Sequence, residues 1–281
     1  MLVTLNEILP AAQKGRYAVG LFNTVNLEMA KGVLAAAEEL RSPVIIGTAE
    51  ILLPYAELEE LAYFLVPMAK KASVPVALHY DHGLTEKRIH EAMDLGFSSV
   101  MYDCSTLDFD GNCKAVAELV KEAHARGVSV EAELGHVGAN ETSAESAAAD
   151  DSIYTEPEEA KRFWEATGAD ALAVAIGTAH GAYKSKPRLD FDRLETIAGM
   201  VGAPLVLHGG SGLSDEDFRM TIQKGIAKVN IFTDINCAAA NAAHDCWAEG
   251  KGLTDLMPEI SNAVKQATMK KMKVFGSAGQ A

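Results

Sequence analysis

Short β-rich runs alternate with longer helical patterns along the chain, eight times over. The candidate strands are Tyr17–Phe22, Pro43–Gly47, Pro75–Leu78, Ser99–Tyr102, Val128–Glu133, Ala171–Ala175, Pro204–Leu207 and Lys228–Asn230. The helical segments between and after them are Leu27–Leu40, Pro54–Lys71, Glu86–Asp94, Cys113–Arg126, Pro157–Thr167, Asp192–Val201, Asp215–Lys224 and Thr233–Glu249. Pro54 and Pro157 suit first helical positions. Ser214 and Thr233 suit N-caps, and Gly127, Gly168, Gly202 and Gly225 stop helices ahead of the next strand. Eight strand–helix units predict a closed parallel (β/α)₈ TIM barrel. An open doubly wound sheet is the alternative, but it rarely reaches eight regular units without a phosphate-loop fingerprint. Thr4–Lys14 reads as an extra N-terminal helix plugging the lower end of the barrel. Thr254–Lys273 reads as a C-terminal helical extension. No linker interrupts the pattern, so residues 1–281 read as a single domain, a size that α/β barrels commonly occupy.

Composition narrows the function. With 48% apolar residues the chain can bury a sizeable core. No uninterrupted apolar run is long enough to span a bilayer, and the N-terminus lacks signal-peptide architecture, which predicts no membrane association and a cytoplasmic protein. Cys104, Cys113, Cys237 and Cys246 form no CxxC pair and read as free thiols that pack as small apolar residues. The net charge of −14 argues against nucleic acid as a partner. An anionic substrate must then be captured by local devices, against the global field.

The strand ends carry the chemistry. Barrels of this type place the active site at the C-terminal face of the strands. Those ends are Asn23, Thr48, Asp81 with His82, Asp103, Glu133, His180, His208 and Asn230, all polar or ionisable. His82, His180 and His208 are each followed by glycine, and three imidazoles with an open position are a catalytic zinc pattern. A lone histidine after an apolar run is more often a hydrogen-bonded structural residue. That reading is kept for His79, His90, His124, His136 and His244, with His79 on the same strand face as Asp81. Asp103 and Glu133 end neighbouring strands. They either orient the imidazoles, supply an alternative position for the metal, or pair with nearby Lys or Arg.

Gly209-Gly210-Ser211-Gly212 opens the loop after the seventh strand, and Asn230-Ile231-Phe232-Thr233 the loop after the eighth. Loops in these places, with a helix N-terminus behind them, form a frequent phosphate site in barrels. Gly135–Thr155 breaks the alternation. It is rich in Ala, Ser, Asp and Glu, and its place beside the proposed site favours a lid over a surface insertion.

These motifs resemble the class II, metal-dependent ketose-bisphosphate aldolases, which include fructose- and tagatose-bisphosphate aldolases. The likeness runs from Phe22-Asn23 to Gly276–Gly279. It includes His79-x-Asp81-His82-Gly83, Val100–Asp103, Glu131-Ala-Glu133-Leu-Gly135, Ala173–Gly181, His208–Gly212 and Lys228-Val-Asn230. The resemblance implies that His82, His180 and His208 bind the catalytic zinc and that Asp81 is the general acid/base at the aldehyde oxygen. Asp103 and Glu133 match residues near a second metal position. Gly181, Gly209, Ser211, Asn230 and Thr233 match residues that hold dihydroxyacetone phosphate. Glu141 in the long loop matches the base that exchanges the carbon-3 proton of that triose. A monovalent cation (Na⁺ or K⁺) near the triose phosphate and a homodimer or homotetramer are implied as well.

The chemistry agrees with the residues. Cleaving a ketose phosphate leaves a carbanion, and a divalent Lewis acid can stabilise the resulting enediolate without a Schiff base. A carboxylate beside a metal ligand can pass the proton at the carbon-4 oxygen. Two departures concern the aldehyde half: no arginine follows Arg219, where relatives often supply one for a distal phosphate, and Phe232 stands where Ala or Asp is usual. The competing readings are a zinc-dependent hydrolase on the same barrel and a non-catalytic aldolase-associated subunit.

Overall fold

The computed structural model describes residues 1–135, 154–179 and 187–281. Their elements are β1 (Leu2–Val3), α1 (Leu5–Gly15), β2 (Val19–Asn23), α2 (Leu27–Leu40), β3 (Val44–Ala49), α3 (Leu58–Lys71), β4 (Val76–Gly83), α4 (Glu86–Leu95) and β5 (Ser99–Tyr102). They continue as α5 (Phe109–Ala125), β6 (Ser129–Leu134), α6 (Pro157–Thr167), β7 (Ala171–Val174), α7 (Phe191–Met200), β8 (Leu205–Leu207), α8 (Asp215–Gln223), β9 (Ile226–Ile231), α9 (Thr233–Cys246) and α10 (Leu253–Phe275). β2 through β9 pair in chain order, all parallel, and β2 pairs with β9 to close the ring. The expected (β/α)₈ barrel is the fold.

Burial follows from two-sided packing. With helices outside and side chains filling the inside, strand residues are apolar on both faces, so the strands read as continuous hydrophobic runs. Phe22, Ile46, Leu78, Val130, Leu172, Leu207 and Val229 face the helix layer. Val19, Leu21, Ile45, Ala77, Ala171, Ala173 and Val206 fill the lower interior. Leu5, Ile8, Leu9 and Ala12 of α1 complete that inner cluster, so the helix does plug the barrel floor. Leu5 N–H donates to Ser129 Oγ at 3.0 Å, which ties the start of α1 to the strand ring. Leu9 is fully buried. Leu9→Ala should lower unfolding free energy by about 2–5 kcal/mol, as buried Leu-to-Ala changes do. Denaturant titration checks this, and a loss under about 1 kcal/mol would mean the plug adds little.

Several boundaries differ from expectation for local reasons. β1 was not anticipated. It adds two residues to β4, with Leu2 opposite Val76 and Val3 opposite Ala77. α3 starts at Leu58 and not at Pro54, because a 3₁₀ turn over Glu50–Leu52 intervenes and the Glu57 N–H bonds the Glu60 carboxylate at 3.2 Å. α5 starts at Phe109 and not Cys113, because Asp108 Oδ1 caps it by accepting from Gly111 N–H at 2.8 Å. Thr233 is the first residue of α9, with Phe232 in the capping place, and the helix stops at Cys246. No described helix is long and apolar enough to cross a membrane.

Candidate active site

Above the apolar floor, the inward strand positions turn polar. Strand alternation carries the inner face from Ala77 to His79 and Asp81 on β4, and from Ser129 to Glu131 and Glu133 on β6. On β9 it brings in Lys228 and Asn230, and the end of β8 brings in His208. All of these are buried. A polar layer this deep persists only if its members satisfy one another. Asp81 accepts from Asn23 Nδ2 at 2.7 Å and from Asn230 Nδ2 at 3.0 Å. His208 Nε2 donates to Glu131 Oε1 at 2.8 Å, and His208 Nδ1 lies 2.8 Å from Glu133 Oε2. Lys228 Nζ sits 2.7 Å from Glu131 Oε2 and donates to Asn230 Oδ1 at 2.7 Å. His79 Nδ1 shares a 2.7 Å hydrogen bond with Ser99 Oγ, and its Nε2 is 3.7 Å from Asp81.

A bulge brings Asp81 and His82 to the same place. In a regular strand adjacent side chains point to opposite faces. Between Tyr80 and Gly83 the β4–β5 register shifts by one residue, and His82 takes φ 42°. Such a conformation is costly outside glycine and recurs at functional sites. The His82 ring ends 4.5 Å from the His208 ring, and its Nδ1 bonds Asp103 Oδ2 at 2.7 Å. Ser105 holds Asp103 in turn through its hydroxyl and N–H. Gly83 completes the bend, because a Cβ there would lie 2.6 Å from both Ile89 Cγ1 and the Met101 carbonyl oxygen. Beyond the bend, Glu50 pins the turn into α4, accepting from Tyr80 Oη, Leu84 N–H and both donors of Thr85.

The electrostatics match the contacts. Burial opposes charge on Asp81, yet His82, Lys228, His208 and His79 outweigh it and hold the carboxyl at about 2. Burial likewise disfavours a charged His208, but Glu131 and Glu133 on either side push it up to about 10. His79 goes the other way, to about 4, since burial dominates and Lys228 adds to it. Glu131, Glu133 and Asp103 are desolvated but still held below the ordinary carboxylate range, Glu131 chiefly by Lys228, Glu133 by His208 and Asp103 by His82. Among the described residues, three groups bring donor atoms within 4.8 Å of one another: Asp81 with His82 and His208, His82 with Asp103 and Glu133, and His79 with Asp81 and Glu131. His82 bonds a carboxylate through one ring nitrogen, the usual way a metal-binding imidazole is oriented, whereas His208 has a carboxylate 2.8 Å from each of its ring nitrogens.

The loops after β8 and β9 meet. Ser211 Oγ accepts from Phe232 N–H at 3.3 Å and Asp234 N–H at 3.4 Å. Gly209 has φ 65°, and a Cβ there would fall 2.5 Å from the Ala179 carbonyl oxygen, so only glycine fits where the chain passes the end of the β7 connection. Gly210 is packed against Val229 and Asn230, and Thr233 opens α9.

Of the residues expected from sequence, Asn23, Asp81, His82, Asp103, Glu133, His208 and Asn230 come together. Thr48 does not, because it shares the strand face of Ile46 and sits opposite Tyr80, both turned toward the helices. Ile231 also packs into the helix-side core, and Phe232 lies partly against it. His180, Gly181 and Glu141 lie outside the described residues, as does His136. Glu131 and Lys228 had no expected role. The signal was present: each stands two residues before a site residue on its strand, on the same face, as a charge inside an apolar run.

A closed parallel barrel with imidazoles and carboxylates gathered at its C-terminal face defines an enzyme of the (β/α)₈ class. Comparison with known proteins narrows this. The family model for class-II fructose-bisphosphate aldolase matches residues 3–280. The fructose-bisphosphate aldolase of Geobacillus stearothermophilus is 40% identical over 286 residues, covering 100% of this chain and 99% of its own. The crystal structure of the YdjI aldolase from Escherichia coli K12 superposes with a TM-score of 0.90 at 40% identity, covering both chains fully. A crystal structure described as a putative fructose-1,6-biphosphate aldolase from Coccidioides immitis gives 0.87 at 32% identity, covering 97% of this chain and 96% of that one. The chain belongs to the class-II fructose-bisphosphate aldolase family. Its chemistry is aldol cleavage, the work of a carbon–carbon lyase and not of a hydrolase.

Proposed function

We propose that this chain, as one catalytic domain, reversibly cleaves a ketose phosphate or ketose 1,6-bisphosphate to dihydroxyacetone phosphate and an aldehyde. The observation that carries this reading is the convergence of Asp81, His82 and His208 at the barrel mouth. His82, His208 and His180 would hold a zinc ion, with Asp103 and Glu133 at a second position. Two imidazoles already fixed by carboxylates fit that role. A zinc ion held by these residues would supply Lewis-acid stabilisation of the enediolate charge.

The remaining work falls to side chains. Asp81, ionised and held by two asparagine amides, accepts the carbon-4 hydroxyl proton as the bond breaks and returns it in the reverse direction. Glu141 serves the carbon-3 proton of the triose. Gly181, Gly209, Gly210, Ser211, Asn230 and Thr233 form the triose-phosphate cradle, at glycine-rich turns and the N-terminus of α9. A monovalent cation would accompany that phosphate. The protein acts in the cytoplasm. It assembles as a homodimer or homotetramer, which accords with the exposed Ile51, Tyr55, Tyr63 and Leu84 on the segments after β3 and β4.

A coupled assay for dihydroxyacetone phosphate tests the reading, run over ketose 1-phosphates and 1,6-bisphosphates before and after chelation. The triose should appear from at least one substrate, vanish with chelator and return with zinc. Release that persists at full rate after the metal is stripped would overturn the zinc assignment.

A further inference from the structure

We propose that Lys228 is a positioning residue for the cleavage step: its buried ammonium selects the orientation of the Asn230 amide and thereby seats Asp81. The proposal rests on the reading of Asp81 as the proton-transfer group. Lys228 is fully buried in the barrel interior. Lysine is almost never found there unless paired. Its partners among the described residues are Glu131 Oε2 at 2.7 Å and Asn230 Oδ1 at 2.7 Å. His79, Asp81 and Glu131 bring donor atoms within 4.8 Å of one another, and the lysine neutralises one of the three, Glu131.

The second contact does more than balance charge. An asparagine amide has two faces of nearly equal shape, and its partners alone decide which way it turns. An ammonium can only donate, so it claims Oδ1. Nδ2 is then left to donate to Asp81 Oδ1, at 3.0 Å. Turned over, Asn230 would set a carbonyl against a carboxylate and an NH₂ group against an ammonium. Asn23 holds the other carboxylate oxygen at 2.7 Å, so the two amides together fix the Asp81 plane. A counterion for Glu131 alone would not need to touch Asn230. Losing the selection leaves Asp81 free to shift, and misplacement by about 1 Å costs on the order of 10²-fold in rate.

The test is a kinetic cycle in a Glu131→Gln background, so that removing the lysine strands no carboxylate. Glu131→Gln is compared with Glu131→Gln carrying Lys228→Met, Asn230→Ala, or both. The readouts are kcat for ketose phosphate cleavage, zinc stoichiometry and thermal unfolding. Lys228→Met should lower kcat roughly 10²-fold, with zinc content and cooperative unfolding retained. Added to Asn230→Ala it should cause little further loss, because both act along one path. Losses that multiply, or an unchanged kcat with Lys228→Met, overturn the proposal. So does loss of folding or of zinc in the charge-neutral pair, or a Glu131→Gln protein already inactive, each of which assigns Lys228 to another task. Asp81→Asn, assayed alongside, separates the two ideas. Retained cleavage there sinks the reading of Asp81, whereas abolished cleavage with multiplying losses sinks only the role of Lys228.

Discussion

Asp81→Ala should reduce carbon–carbon cleavage by about 10²–10⁴-fold, the usual contribution of a positioned general acid–base group. Bound zinc and affinity for dihydroxyacetone phosphate should stay close to wild type. The carboxyl lies 2% exposed between Asn23 and Asn230 and is held ionised at about 2 by the imidazoles and Lys228 around it. It is therefore ionised and fixed in place at any physiological pH, and no described neighbour offers the same charge in the same place. Glu131 is committed to Lys228 and His208, Glu133 to His208 and Asp103 to His82. The two half-reactions distinguish Asp81 from the base on the triose side. Proton exchange between solvent and dihydroxyacetone phosphate, measured without aldehyde, should survive Asp81→Ala and fall in Glu141→Ala. Cleavage that stays within a few-fold of wild type in Asp81→Ala would move the acid–base role to another group.

Most of the barrel was legible because each strand–helix unit announces itself locally. Apolar β-rich runs, capping residues and helix-stopping glycines recur with a fixed order, and parallel closure follows from their number. β1 was invisible because two residues carry no period. The α3 and α5 boundaries were misplaced because Pro54 and Cys113 are plausible starts by themselves, while the contacts that set the ends, Glu57 with Glu60 and Asp108 with Gly111, compete only once the chain is folded. At the site, residues at strand ends could be read one by one. Thr48 shows the limit of that reading: position along a strand is a matter of sequence, but which face it presents depends on register, and the register turns it to the helices. The inner charges are the opposite case. Glu131 and Lys228 sit below the strand ends, where an apolar core would be expected, and only the closed barrel reveals that they neutralise each other. The one-residue slip that aims both Asp81 and His82 inward was also unreadable, since it is defined by the neighbouring strand and not by β4 itself.

His208→Ala should remove most bound zinc and nearly all activity, and it should also destabilise the protein. The imidazole is fully buried and lies 2.8 Å from both Glu131 and Glu133. Truncation deletes the proposed ligand and strands two desolvated carboxylates that had shared its ring nitrogens. Removing one partner of a buried ion pair costs about 3–5 kcal/mol, so a clear drop in thermal midpoint should accompany the loss of metal. His82→Ala is the informative companion. Its ring is 17% exposed, and the carboxylate it leaves, Asp103, keeps both Ser105 contacts. That variant should lose zinc to a similar degree while unfolding much nearer the wild-type temperature. The pair thus separates ligation from structural support: metal content should fall in both, stability mainly in one. Full zinc occupancy in His208→Ala, measured on folded protein by metal analysis, would show that the ring only bridges the two glutamates, and the ion would have to be sought among His82, Asp103 and Glu133.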